Sequence, residues 1–240
     1  MRHGFFVRSF GLAVAALLIG GLASLAQAGE GTRSHTYVDL GVALTAFPSR
    51  QQVQPVDPDA EPIHYRSALG ARIRGSWQAA WGGFLFGEYL GAEGCVDDCL
   101  GGAERNDTTF GLDQYSVGAG WEFTELPGAD LFATVAREWR RVEACEDEGD
   151  PESCRKERRD GVVLGLGGRY ELGADPGQVL EARYERLTGM AEPSPRLLPQ
   201  GDGRLILAYE RAFIDGVLYG RLAYREARNR GLDLAVRIRF

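Results

Sequence analysis

Apolar and polar residues alternate one by one over many short stretches of this chain. In residues 232–240 every second side chain is apolar, and Asp233, Arg237 and Arg239 lie between them. A period of two is typical of a β-strand that has one apolar and one polar face. The end of the chain is therefore predicted to be such a strand, with Phe240 on its apolar face.

The same alternation predicts ten strands. They span residues 36–46, 64–77, 83–90, 110–123, 131–142, 160–172, 178–188, 204–213, 217–225 and 232–240. Long polar or proline-rich connections are predicted at 47–63, 91–109, 143–159 and 189–202, with short turns at 78–82, 124–130, 173–177 and 214–216. Long and short connections alternate until the last one, 226–231, so both ends of the strand array lie on the short-turn side. An eight-strand alternative would make two of these strands connections.

The start of the chain has a different pattern. Arg2 and Arg8 precede an uncharged apolar run over 10–25. Ala26-Gln27-Ala28 then fits a small-x-small cleavage site. We predict a secretory signal peptide over 1–28, leaving 29–240 as one domain. The alternative is an uncleaved membrane anchor, which the short apolar run and the well-formed cleavage site disfavour.

Composition is compatible with a membrane protein built from strands. The mean hydropathy is −0.23 and 25% of residues are charged, as in many soluble proteins. Strands that show lipid only one face need no long apolar run, so these values exclude little. The formal net charge of −7 makes nucleic acid an improbable partner.

The alternation, the export signal and the terminal Phe240 together resemble those of small bacterial outer-membrane β-barrels of the OmpA/OmpX type. The resemblance implies an all-β fold: a closed, antiparallel, up-and-down transmembrane barrel, exported through the periplasm to the outer membrane. It implies outer-membrane lipid and lipopolysaccharide as partners. The oligomeric state stays open, with a monomer as the expectation. The resemblance also makes Phe240 an assembly signal for the barrel-assembly machinery. A secreted β-sandwich would share the alternation, but its apolar faces would have to form one common core.

The polar faces of the predicted strands carry charges of both signs. In a narrow barrel they would fill the lumen and have to pair. We expect a salt-bridged plug, with a narrow porin-like channel as the alternative. The inward charges are Arg66, Arg72, Arg74, Glu122, Arg169, Glu171, Glu181, Arg183, Glu185, Glu210, Arg221, Arg225, Asp233, Arg237 and Arg239.

Two strands depart from the simple pattern. In strand three Phe84 and Phe86 share a face with Glu88, so the orientation of this strand stays open. Strand five carries charges on both faces from Arg137 to Arg141, and we expect this half to stand above the membrane.

Four cysteines lie in two predicted outer connections. In an exported protein they are predicted to form disulfides, most simply Cys95 with Cys99 and Cys145 with Cys154, although cross-loop pairing stays open. An acidic tract at 146–152 is interpreted as a solvated loop, and no metal site is predicted.

Catalytic patterns are weak. Beyond residue 28 the only histidines are His35 and His64. His35 is next to Ser34 and His64 is near Ser67, but neither pair has the spacing found in outer-membrane proteases or lipid A deacylases. Glycines at 165–168 are followed by no helix pattern, so no dinucleotide site is predicted. We therefore predict no catalytic residue, cofactor or metal.

The function predicted from the sequence is a non-catalytic outer-membrane barrel whose loops serve envelope integrity, lipopolysaccharide contact or adhesion. The alternatives are the narrow channel and, further off, a lipid-modifying enzyme or a protease.

Overall fold

Ten β-strands account for almost all of the chain that the computed structural model describes, namely residues 35–53, 63–79, 81–95, 109–126, 128–145, 154–172, 177–188, 203–214, 217–227 and 230–240. The strands are β1 (Tyr37–Val53), β2 (Ile63–Gln78), β3 (Gly83–Cys95), β4 (Thr109–Leu126), β5 (Ala129–Cys145), β6 (Cys154–Glu171), β7 (Gln178–Thr188), β8 (Gly203–Ile214), β9 (Leu218–Glu226) and β10 (Arg230–Arg239). No helix in these ranges is long and apolar enough to cross a membrane.

The strands form a closed ring. Each pairs antiparallel with its neighbours in sequence, and β1 pairs with β10 from Tyr37 opposite Arg239 to Ala46 opposite Arg230. Closure leaves no strand with an unpaired edge, which is what a sheet surrounded by hydrocarbon requires. The predicted ten-strand, up-and-down barrel is confirmed, and the eight-strand alternative is wrong.

Alternate side chains face outward and inward, as the period of two predicts. On β1, Leu40 and Val42 are exposed on the outer surface, whereas Asp39, which precedes Leu40, is 3% exposed and faces the lumen. Two groups of outward aromatic residues bound the apolar band. Near the short turns lie Trp77, Trp81, Trp121, Phe123, Tyr170 and Phe213; towards the long connections lie Tyr89, Tyr115, Trp139, Tyr184 and Tyr224.

A closed ring with an apolar band between aromatic girdles and a charged interior is the architecture of outer-membrane barrels. The chain is therefore a transmembrane barrel of the outer membrane. Short connections and both ends of the barrel lie on one side, which in such barrels is periplasmic, and the long connections lie outside.

The predicted strand ends are least accurate on the outer side. The predicted connection 47–63 is wrong in part, because β1 continues to Val53 through a register irregularity between Ala46 and Gln51. Pro48 lies within this irregular stretch, where a missing N–H costs no ladder hydrogen bond. Likewise β3 continues to Cys95, β5 to Cys145, and β6 begins at Cys154, inside predicted connections.

The orientation of β3, open from the sequence, is settled by the register. Glu88 lies opposite Arg74 of β2 and faces the lumen, as does the buried Phe84. Leu85 is 58% exposed and faces lipid. Aromatic residues therefore line the lower lumen at positions where alternation alone favoured neither face.

Candidate functional site

The structure places the sequence-predicted charges of the lumen at inward positions of the barrel wall. Most are buried, while Glu122 and Glu171 near the short turns and Arg72 and Arg225 are half-buried. The side chain of Arg66 lies outside the described part. Sequence reasoning missed six further inward charges: Asp39, Glu88, Asp130, Glu138, Arg140 and Arg204.

Four of these omissions have a local reason. Glu88 lies on the strand whose orientation was open, and Asp130 lies in a predicted turn. Glu138 and Arg140 were expected above the membrane, yet Glu138 is 0% exposed inside the barrel. Its position between the outward Arg137 and Trp139, read as strict alternation, is the signal that would have identified it.

Arg237 joins the first and last strands through the lumen. Its Nε and Nη2 donate to the two carboxylate oxygens of Asp39 at 2.6 and 2.7 Å, and Nη1 donates to Glu210 at 2.5 Å. The guanidinium also lies 3.7 Å from the centre of the Tyr37 ring. Such charge-assisted bonds offset the cost of burying Arg237.

Glu210 of β8 is the centre of this group. It is 0% exposed and accepts a second bond from Arg239 at 2.6 Å, while Nε of Arg221 lies 3.4 Å away. Three guanidiniums therefore surround one carboxylate, and β8, β9 and β10 are tied together from the inside.

A second group of ion pairs lies nearer the long connections. Glu138 accepts from Arg140 at 2.6 Å, from Arg204 at 2.9 Å and from the amide of Gln114 at 2.9 Å. Arg204 also donates to Glu185. This group links β4 and β5 to β7 and β8 across the lumen.

A third group links β2 and β3 to β9 and β10. Arg72 donates to Glu88 at 2.5 Å and also to Asp233, which in addition accepts from Arg225 at 3.1 Å. We call these three groups together the ionic layer.

Aromatic and apolar side chains pack into the lumen above and below the ionic layer. Towards the short turns His35 stacks on Phe84 with ring centres 3.8 Å apart and meets the edge of Phe132 at 5.3 Å. Towards the long connections the buried residues are apolar and mostly small: Ala68, Ala92, Phe110 and Val142. Ion pairs that are buried in this way attract each other more strongly than pairs exposed to water.

Side chains leave little free space at the middle of the described lumen. The cavity there has a volume of ≈ 10 Å³, enough for about one water. This agrees with the plug expected for a barrel of this size.

The outward face of β5 and β6 carries a second concentration of charge, above the apolar band. Arg137 pairs with Asp160, and Glu143 accepts from Arg141 at 2.8 Å and lies 3.0 Å from Lys156. We call Arg137, Arg141, Lys156 and Arg158 the outer basic face. Arg158 is exposed and lies directly opposite Arg141 in the ladder.

The predicted disulfide positions are only partly described. Cys145 and Cys154 are direct partners at the outer end of the β5–β6 ladder, as a cross-strand disulfide would need. Cys95 ends β3 opposite Ser67, whereas Cys99 and the acidic tract lie outside the described residues. The disulfides remain predictions.

The two histidines occupy dissimilar positions. His35 is 5% exposed against Phe84, and His64 lies within β2 opposite Gln52. In the described ranges no three His, Cys, Asp or Glu side chains are grouped as a metal site would require. Phe240 follows β10 and donates its backbone N–H to Thr36 at 3.2 Å; its role as an assembly signal, like the signal peptide over the undescribed residues 1–28, remains a prediction.

Comparison with known proteins returns outer-membrane barrels. Solved structures similar to this chain include Ail of Yersinia pestis (12% identity, 86% of this chain and 99% of that one, TM-score 0.40). Others are the transport unit of the autotransporter AIDA-I from Escherichia coli (14%, 96% and 97%, 0.44) and OprG from Pseudomonas aeruginosa (8%, 88% and 98%, 0.42). No protein-family model and no curated protein matches. Because these identities and TM-scores are low, the evidence for the fold is the strand pairing of this chain and not these similarities.

Proposed function

We propose that this chain is a non-catalytic outer-membrane barrel that braces the envelope by binding phosphate-bearing glycolipid, the lipopolysaccharide class, along its outer basic face. The observation that carries the proposal is the outward pair Arg141 and Arg158, directly opposite each other on β5 and β6. Like charges at opposed positions of a ladder destabilise it unless something neutralises them.

A phosphate between these strands would do so. Arginine presents a planar fork of donors that binds phosphate through two parallel hydrogen bonds. Glu143 already neutralises part of the charge of Arg141 and Lys156, but Arg158 has no ion pair with another described residue. Arg158 is thus the member of the face with the most to gain from an anionic ligand.

The height of the face suits a lipid headgroup. β5 and β6 have 17 and 18 residues, which at about 3.3 Å per residue and a tilt of about 40° rise roughly 40 Å, against an apolar band about 25 Å tall. The face begins beside Trp139, an outward aromatic residue 41% exposed. Aromatic side chains of this kind mark the membrane interface, so the arginines lie at the level of headgroup phosphates.

The filled lumen supports display over transport. The ionic layer extends across the lumen and leaves room for about one water at its middle. We expect no conductance steps when the purified barrel is inserted in planar bilayers.

The proposal is tested by titrating lipopolysaccharide onto the purified barrel in neutral detergent and following tryptophan fluorescence. The wild type is expected to bind saturably. The double variant R141Q/R158Q is expected to bind at least about tenfold more weakly, because the loss of two charge-assisted contacts is worth more than about 1.4 kcal/mol.

The matched control is Arg211→Gln. Arg211 is also outward and exposed, but it lies near the short turns, on the periplasmic side. It should leave binding unchanged, and dephosphorylated lipopolysaccharide should bind wild type and double variant alike. Equal affinity of wild type and R141Q/R158Q for the intact lipid would refute the proposal.

A further inference from the structure

A small cavity lies in the ionic layer at the middle of the barrel. Its wall includes Gly41 of β1 and Ala235 of β10, which lie opposite each other in the ladder. A Cβ on residue 41 would approach Cα of Ala235 to 2.7 Å, so glycine is required there and a pocket is left beside it. The cavity volume of ≈ 10 Å³ is enough for about one small, monatomic occupant.

Four arginines line this cavity: Arg72 and Arg74 from β2, Arg183 from β7 and Arg221 from β9. Their side chains are 5–12% exposed. Nε of each is buried without a hydrogen-bond acceptor, as is Nη2 of Arg221.

The carboxylates near these arginines do not satisfy those donors. Nε of Arg74 is 3.9 Å from Glu88, and Nε of Arg221 is 3.4 Å from Glu210. Nε of Arg183 lies 2.8 Å from Glu185, but not aligned for a hydrogen bond. A buried donor without an acceptor costs about 1–3 kcal/mol, and more when the group is charged.

The acidic residues of the cavity wall are already engaged. Both oxygens of Asp39 accept from Arg237, and Asp233 accepts from Arg72 and Arg225. Neither contributes a buried oxygen without a partner. The unsatisfied atoms of the wall are therefore all donors.

This one-sided chemistry identifies the occupant. A single water has two lone pairs and would satisfy at most two of these five donors, whereas a halide ion can accept hydrogen bonds from several donors at once. We propose that the mid-lumen cavity is a binding site for a monatomic anion of chloride size, held by Arg74, Arg183 and Arg221. Sulfate and phosphate are too large for it. The anion connects β2, β7 and β9 and completes the ionic layer, independently of any ligand on the outer surface.

The test compares halide with a large anion at constant ionic strength. The folded barrel in neutral detergent is heated in buffers where chloride progressively replaces gluconate, and the loss of the faster-migrating unboiled form is timed on gels. An anion that binds only the folded state stabilises it in proportion to occupancy. The half-time of unfolding is expected to rise saturably, at least threefold, with bromide replacing chloride and gluconate or sulfate having no such effect.

Two further measurements identify the site. Arg221→Gln should remove the chloride dependence, while the exposed Arg137→Gln should keep it. If Arg221→Gln does not fold, crystals of the wild type grown in bromide should show an anomalous peak within hydrogen-bonding distance of Arg183 and Arg221. Equal half-times in chloride and gluconate, chloride dependence that survives Arg221→Gln, or a bromide-free cavity would each overturn the assignment.

Discussion

The two walls of the barrel use charged residues in opposite ways. In the short wall, β8, β9 and β10 have 12, 9 and 10 residues, and Glu210, Arg221 and Arg237 turn their charges inward. In the tall wall, β4, β5 and β6 have 17 or 18 residues, and above the apolar band their outer faces are charged as well. Charges of the first kind hold the ring together, whereas charges of the second kind meet solvent, headgroups or ligands.

The largest effect expected from this contrast is on stability. Glu210→Gln should lower the free energy of unfolding by about 3–5 kcal/mol, because Arg237 and Arg239 lose an ionised partner in a site closed to water. Urea-induced unfolding of the barrel in lipid vesicles, followed by gel migration, measures it.

The matched control in the tall wall is Glu143→Gln. Glu143 pairs with Arg141 and Lys156 on the outer face and is 32% exposed, so we expect a loss of no more than about 1 kcal/mol. Similar losses for the two variants would contradict the division of roles between the walls.

An added charge should have a smaller effect, graded by height. Leu234 is 59% exposed in the middle of β10, and Leu234→Arg should cost about 2–4 kcal/mol in a bilayer. Trp139→Arg, at the upper aromatic group of the tall wall, should cost about 0–1 kcal/mol. The same urea titration tests both, and a larger cost at 139 than at 234 would show that the apolar band lies higher than the girdles indicate.

The smallest effect is expected at the tip of the tall wall. If Cys145 and Cys154 are bridged, peptide mass spectrometry without reductant should find them linked. Replacing both by serine should speed proteolytic cleavage within 146–153 and leave the unfolding midpoint of the barrel unchanged, because the tip lies above the lipid. Free thiols at both positions in the exported protein would show that the predicted bridge is absent.

The same contrast explains what the sequence can predict. The predicted bounds of the strand at 178–188 match β7, and those of 204–213 and 217–225 are one residue off at each end. There the apolar face ends where the strand ends. In β5 the outward residues are apolar only as far as Arg137, but backbone pairing continues to Cys145. The end of the apolar pattern therefore marks the outer edge of the membrane and not the end of the strand.

The interior was predictable in outline. Alternation identified which charges of β2, β6 and β7 face inward, because their apolar partners are unambiguous. It could not pair Arg237 with Asp39, since those residues lie 198 positions apart in the chain. Nor could it foresee the cavity, which depends on Gly41 and Ala235 meeting at the β1–β10 seam.

The seam between β1 and β10 has a consequence for biogenesis. Asp39 is among the earliest residues of the barrel to be synthesised and Arg237 among the last, so their bond can form only after every intervening hairpin has been laid down. Until then the growing sheet has two bare edges and a half-built interior whose arginines lack their counterions. Closure of the barrel is therefore a late step of assembly. A chain that stalls before its final strand would remain an open sheet with unpaired edges, prone to aggregation and to degradation by proteases.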